Sequence, residues 1–193
     1  MKIAIIRYNA GNVRSVANAL NRFGVEPIVT DSAEILNSCD KVIFPGVGEA
    51  STAMNYLRIK GLDTFIPGIR VPLLGICLGL QLMCKHSEEN ETTCMDIFPI
   101  EVKKFPTRDK IPHMGWNNIN NLRGPLLQNV GSDAHLYFVH SYYAEVSENT
   151  VAMTNYIEPF SAALQKDNFY AIQSHPEKSG NVGHKILENF LAL

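Results

Sequence analysis

At 193 residues the chain has room for one compact domain, and a composition 46% hydrophobic and 19% charged is that of a folded globular protein. Seventeen Lys and Arg against 19 Asp and Glu leave a formal charge of −2, which argues against a nucleic-acid-tracking face or a polybasic membrane anchor. A domain of this size buries about 70% of its unfolded surface without disulfide staples, and no apolar run approaches the ~20 residues of a membrane span.

In chain order, Ile3-Ala4-Ile5-Ile6 is too short for a signal peptide and runs straight into Arg7 and Asn9, so it predicts a first, buried strand. A turn at Asn9-Ala10-Gly11-Asn12 precedes Val13, Val16, Ala17 and Leu20, which share one helical face, and Gly24 closes that helix. Residues 25–30 read as the second strand, 33–36 as a short helix, 41–44 as the third strand and 50–59 as a helix. Residues 71–76 form another apolar strand that runs directly into Cys77 and a helix to about residue 85. Strands separated by helices imply parallel crossovers and a sheet covered on both faces. The later segments 97–105, 137–144, 150–155, 161–165 and 169–173 are strand-like with turn residues between them, Asp167-Asn168 marks a hairpin, and Gly183, Ile186, Leu187, Phe190 and Leu191 line a closing helix. The reading is one α/β domain over residues 1–193, its central sheet mostly parallel and its second half paired in antiparallel hairpins.

The chemistry concentrates at Gly75-Ile76-Cys77-Leu78-Gly79, a strand-to-helix junction with the form of a nucleophile elbow. Flanking glycines permit a sharp turn that lifts the thiol above the carboxyl edge of the sheet, where a helix N-terminus favours thiolate and the Leu78 N–H can donate to a developing oxyanion. A small buried cysteine at a tight strand end would have the same local sequence. Cys39, Cys84 and Cys94 lack the glycines and read as buried, reduced thiols of a cytosolic protein. No Cys-x-x-Cys or Cys/His spacing suggests a metal, and nothing implies a cofactor.

A thiolate nucleophile needs a proton carrier. In Gln173-Ser174-His175-Pro176-Glu177-Lys178-Ser179, Pro176 keeps His175 extended, so Glu177 can point to the same side and hold the imidazole. A solvated surface turn is the blander reading. His86 and His184 are expected on wet helix faces, His135 in a polar loop and His140 packed in a strand. Pro45-Gly46-Val47-Gly48 follows a strand at the same sheet edge and lacks the continuation of a nucleotide loop, so its backbone suits a second oxyanion donor.

Together, Pro-Gly-Val-Gly, Gly-Ile-Cys-Leu-Gly-Leu-Gln and His-Pro-Glu-Lys-Ser resemble the triad-type glutamine amidotransferases. Tyr8-Asn9-Ala10-Gly11-Asn12, Pro112-His113-Met114-Gly115-Trp116-Asn117 and the segment from Tyr137 to Tyr143 narrow the resemblance to the glutaminase subunits of imidazole glycerol phosphate synthases. The resemblance spans essentially the whole chain and departs from the pattern at Arg7, where an acidic residue is usual.

It implies a flavodoxin-like doubly wound fold and glutamine hydrolysis by Cys77, His175 and Glu177, with Val47 and Leu78 as oxyanion donors and Gly46, Gly48, Gln81, Glu89, Ser141 and Tyr142 holding glutamine. It also implies a heterodimer with a (β/α)8-barrel cyclase contacted through Asn12, Met114, Trp116, Tyr137 and Lys178. A lone Trp is more often core than interface. A glutaminase serving another ammonia-using synthase, or a non-catalytic flavodoxin-like binding module, is the alternative. The resemblance further implies that the peptide at Val47 turns its N–H toward the site only when the partner binds its ligand.

Overall fold

The computed structural model describes residues 1–8 and 12–193; the turn expected at Asn9-Ala10-Gly11 lies outside them. The first half runs β1 (Ile3–Ile6), α1 (Val13–Asn21), β2 (Ile28–Thr30), α2 (Ala33–Asn37), β3 (Lys41–Phe44), α3 (Ala50–Ile59), α4 (Leu62–Phe65), β4 (Leu73–Ile76) and α5 (Leu78–Met83). The second half runs β5 (His86–Ser87), β6 (Thr92–Thr93), β7 (Glu101–Lys104), β8 (His113–Asn118), β9 (His135–His140), β10 (Tyr142–Ala144), β11 (Thr150–Tyr156), β12 (Glu158–Lys166), β13 (Phe169–Ile172) and α6 (Gly180–Ala192).

A seven-stranded sheet of order β11-β12-β13-β4-β3-β1-β2 forms the centre. Its strands are parallel from β2 to β13 and antiparallel through β12 and β11. Alternate residues of each strand feed opposite faces. Ala4, Ile6, Val42, Phe44 and Leu73 pack with α2 to α5, while Ile3, Ile5, Ile43, Leu74 and Ile76 pack with α1 and α6. With both faces covered, these strands are nearly continuous apolar runs, Lys41 at the start of β3 excepted, rather than alternating.

Several expected boundaries move. The second strand pairs only over Ile28–Thr30, after Pro27, whose nitrogen cannot donate to a ladder. The stretch 97–105 pairs only over Glu101–Lys104, because Phe98 and Ile100 are buried by packing rather than by strand pairing. The strand expected at 137–144 breaks at Ser141, where the chain leaves the β8/β9 hairpin and joins β7 in the four-stranded sheet β10-β7-β5-β6. The helix after Cys77 is six residues long, and His86 lies on the short strand β5, beside Glu101, rather than on a helix. His135 opens β9 instead of sitting in a loop, and His184 on α6 stacks against Phe23.

Candidate active site

Two neighbouring parallel strands deliver the central pair. Register aligns Ile76 of β4 with Ile172 of β13, and the Cys77 N–H donates to the Ile172 carbonyl at 2.8 Å. Cys77 follows β4 by one residue and His175 follows β13 by three, so both emerge at the carboxyl edge of the sheet.

Cys77 has φ +53 and ψ −106, a conformation that a residue with a Cβ adopts only under constraint and that turns the chain sharply into α5. Close approach makes this possible: a Cβ on Gly79 would fall on the Phe44 carbonyl oxygen, so α5 packs on β3 at a distance only glycine allows. Cys77 is 6% exposed, and Cys39, Cys84 and Cys94 are buried and free among the described residues. Desolvation pushes the Cys84 thiol up, and that of Cys94 up to about 12, so neither serves as a ready nucleophile.

His175 is fully buried. Its N–H donates to the Tyr137 carbonyl at 2.9 Å, and the Ser179 hydroxyl links the His175 carbonyl (2.6 Å) to the Tyr137 N–H (2.9 Å), so the turn is bolted to β9. Nδ1 lies 2.8 Å from Glu177 Oε1, which leaves Nε2 for Cys77. Nε2 is buried with no hydrogen-bond partner among the described residues. Burial opposes the imidazolium most strongly of the single influences, but Cys77 and Glu177 together outweigh it and raise the ring to about 10. A ring that stays protonated between a carboxylate and a sulfur is equipped to hold and pass one proton.

Three groups that the sequence did not place at the site complete its surroundings. Asn12, expected at a partner face, is 4% exposed, and its Nδ2 donates to Glu177 Oε1 at 3.1 Å. Gln173, fully buried at the end of an apolar strand, donates to Cys77 Sγ at 3.6 Å and accepts from Gln81 Nε2 at 3.2 Å. An amide closing an apolar run two residues before His175 is the signal that could have found it. Tyr8 donates to the Pro45 carbonyl at 2.5 Å, and burial, followed by the Cys77 charge, pushes its phenol up so that it remains a donor.

The loop at 45–48 lies over α5. The Gly46 carbonyl accepts the Leu78 N–H at 3.3 Å. The carbonyl and N–H of a trans peptide point in opposite directions, so with Gly46 facing Leu78 the Val47 N–H points away. Of the two N–H groups expected as oxyanion donors, that of Leu78 is covered and that of Val47 is averted.

A cavity of about 370 Å³ opens above the sulfur, lined by Cys77, Val47, Gly48 and Gln81 and, on the far wall, by Ser141 and Tyr142. Glu89 reaches the same cavity with its carboxylate tied to the Ala50 N–H at 2.7 Å; burial leads the influences that raise its pKa. Gly46 is buried behind the wall, where a Cβ would strike Tyr8, Leu78 and Gly79. Outside the cavity, β8 turns Met114 (59% exposed) and Trp116 (57% exposed) outward, with Tyr137 edge-on to Trp116 at 6.1 Å and Lys178 exposed nearby. The single Trp is thus on the surface, not in the core.

Residues 4–193 match the family model described as Glutamine amidotransferase class-I. The chain is 56% identical over 196 residues, covering 100% of both sequences, to the Imidazole glycerol phosphate synthase subunit HisH of Bacteroides thetaiotaomicron. It is 43% identical, with the same full coverage, to the HisH subunit of Pectobacterium atrosepticum. Among solved structures it resembles a glutamine amidotransferase (TM-score 0.76, 18% identity, 98% of this chain and 97% of that one). It also resembles a chain of PurLQS from Thermotoga maritima (TM-score 0.74, 16% identity, 99% and 97%), and at such identities the likeness concerns the fold.

Proposed function

The chain belongs to the class-I glutamine amidotransferase family, and we propose that it is the glutaminase subunit of an imidazole glycerol phosphate synthase, acting in histidine biosynthesis in the cytoplasm. Its substrate is glutamine, residues 1–193 form the amidotransferase domain, and the ammonia passes to a (β/α)8-barrel cyclase partner. The observation that carries this reading is the geometry at Cys77: a strained elbow on a cavity wall, close enough to a buried imidazole to raise its pKa, with that imidazole's other nitrogen held 2.8 Å from a carboxylate.

Cys77 Sγ attacks the carboxamide carbon of glutamine, and the proton held by His175 goes to the departing nitrogen, releasing ammonia and leaving a thioester. His175 then takes a proton from water as it attacks the thioester, and glutamate leaves. Glu177, steadied by Asn12, keeps Nδ1 occupied so that Nε2 does the transfer. Gln81, Glu89, Gly48, Ser141 and Tyr142 hold the substrate in the cavity. The partner seats on the face carrying Met114, Trp116, Tyr137 and Lys178.

In the resting loop the Leu78 N–H is occupied by Gly46 and the Val47 N–H is averted. A missing oxyanion donor costs about 2.7–4 kcal/mol, or about 10²–10³ in rate. Glutamine hydrolysis is accordingly expected to be slow for the chain alone, and to rise about 10²–10³-fold when both the cyclase and its phosphorylated ribulosyl ligand are added. Cys77→Ser abolishes the rate in every condition. A chain that hydrolyses glutamine at full speed alone overturns the loop's role, and a complex that never does so overturns the assignment.

A further inference from the structure

His113 and His140 lie outside every role assigned above. They face each other across the β8/β9 register, 4% and 6% exposed. His113 stacks between Phe138 (5.0 Å) and Tyr156 (4.1 Å), and His140 lies against Phe105 and Phe160. Burial is the leading influence on both, holding His113 at about 4 and His140 at about 3, so both rings are neutral at neutral pH.

A neutral imidazole has one donor and one acceptor, so the partners determine the tautomers. The Tyr142 carbonyl can only accept; His140 Nδ1, 2.8 Å away, therefore carries the hydrogen and His140 Nε2 is an acceptor. His113 Nδ1, 3.1 Å from that Nε2, must then donate, which makes His113 Nε2 the acceptor for Asn117 Nδ2 at 3.3 Å. The Asn117 amide is itself oriented, because its Oδ1 takes the Asn118 N–H at 2.9 Å and its other hydrogen reaches the Asn155 carbonyl at 3.0 Å. The bonds run one way, from Asn117 through His113 and His140 to Tyr142.

The end of that chain, His140 together with Tyr142, is part of the cavity wall. The Phe105 N–H donates to the Ser141 carbonyl and the Glu145 N–H to the Glu101 carbonyl, so residues 141 and 145 bond to the strand side. By the alternation of an antiparallel ladder, the N–H and carbonyl of Tyr142, between them, face the opposite side, where Gln81 also donates to the same carbonyl at 2.8 Å. Both lone pairs of the Tyr142 carbonyl are thus filled by buried side chains, which fixes the 142–143 peptide, while the Tyr142 N–H belongs to the 141–142 peptide that the Phe105-to-Ser141 bond fixes.

We propose that His140 is a positioning residue for the substrate, acting through the Tyr142 backbone, and that His113 acts through His140 by fixing its tautomer. The proposal rests on the glutaminase reading only for the identity of the substrate.

Nitrogen NMR of the ¹⁵N-labelled full chain at pH 7 is expected to show both rings as neutral Nδ1–H tautomers, with His113→Phe disturbing the His140 tautomer. Labelling of Cys77 by a glutamine-analogue chloroketone supplies the second readout. His140→Phe raises the half-saturating reagent concentration about tenfold, one lost hydrogen bond, and changes the maximal rate by less than about twofold. His140→Asn, whose Nδ2 can stand in for Nδ1, brings the half-saturating value back to within about threefold of the parent. The proposal is overturned if either ring is an Nε2–H tautomer or an imidazolium at pH 7. It is equally overturned if His140→Asn, folded by circular dichroism, is as impaired as His140→Phe. Should His140→Phe not fold, the tautomers of the parent chain decide. Parent chain that the chloroketone does not label refutes the glutaminase reading instead, and the tautomers still decide the relay.

Discussion

A buried imidazole held at about 10 ties the proposed catalysis to stability. The folded chain keeps a proton on His175 that the unfolded chain releases near the ordinary histidine value of about 6.5. This contribution to stability is complete below about pH 6.5, declines as pH rises from there, and is gone above about 10, with a slope of at most about 1.4 kcal/mol per pH unit. In Cys77→Ser the sulfur's share of the upward influence disappears while burial still opposes the charge. The His175 pKa should then fall by at least about one unit, measured by NMR titration. The urea midpoint of the parent chain should decline more steeply between pH 7 and 10 than that of Cys77→Ser. Equal slopes would mean that the sulfur does not hold the proton on the ring.

At the scale of elements, the sheet edge works because α5 sits closer to β3 than any side chain would permit. Gly79→Ala sets a methyl group against the Phe44 carbonyl, a backbone atom that cannot swing aside. The expected cost is about 3 kcal/mol or more, seen as a lowered melting temperature together with slower Cys77 labelling, because the elbow is displaced along with the helix. An unchanged melting temperature would show that α5 slides freely. The same elements explain what could be read from residues alone. β3 and α3 match their expected bounds because an apolar run after Lys41, and an apolar stripe of Ala50, Ala53, Met54 and Leu57, are local patterns. β5 and β6, two residues each, carry no period, and β8, rich in Gly and Asn with Met114 and Trp116 turned outward, lacks the apolar alternation of a half-buried strand. Cys77, His175 and Glu177 were legible because each lies in a short motif at a strand end. The bond from Asn12 to Glu177 spans 165 positions and leaves no local trace; the averted Val47 N–H is implied by the family resemblance, and only the donor that the Gly46 carbonyl meets, Leu78, is beyond local reading.

At the scale of the whole molecule, the cavity and the exposed apolar pair lie on the same hairpin by construction. On β8 the residues alternate: His113, Gly115 and Asn117 turn inward toward the histidine pair, while Met114 and Trp116 turn out. The strand that supports the cavity wall therefore also carries the proposed partner surface, with Tyr137 of β9 bracing Trp116 and its backbone holding the His175 turn through Ser179 and the His175 N–H. Aromatic anchors of this kind dominate binding energy when a partner excludes water around them. Trp116→Ala is expected to weaken association with the proposed cyclase partner by about 2 kcal/mol, about 30-fold in Kd, measured by titration calorimetry. Because the indole is 57% exposed, its loss opens no cavity, so the far-ultraviolet circular dichroism and the chloroketone labelling of Cys77 in the free chain should be unchanged. A variant that binds the cyclase as tightly as the parent would move the interface off this face. One that loses Cys77 labelling in the free chain would show that Trp116 supports the site itself.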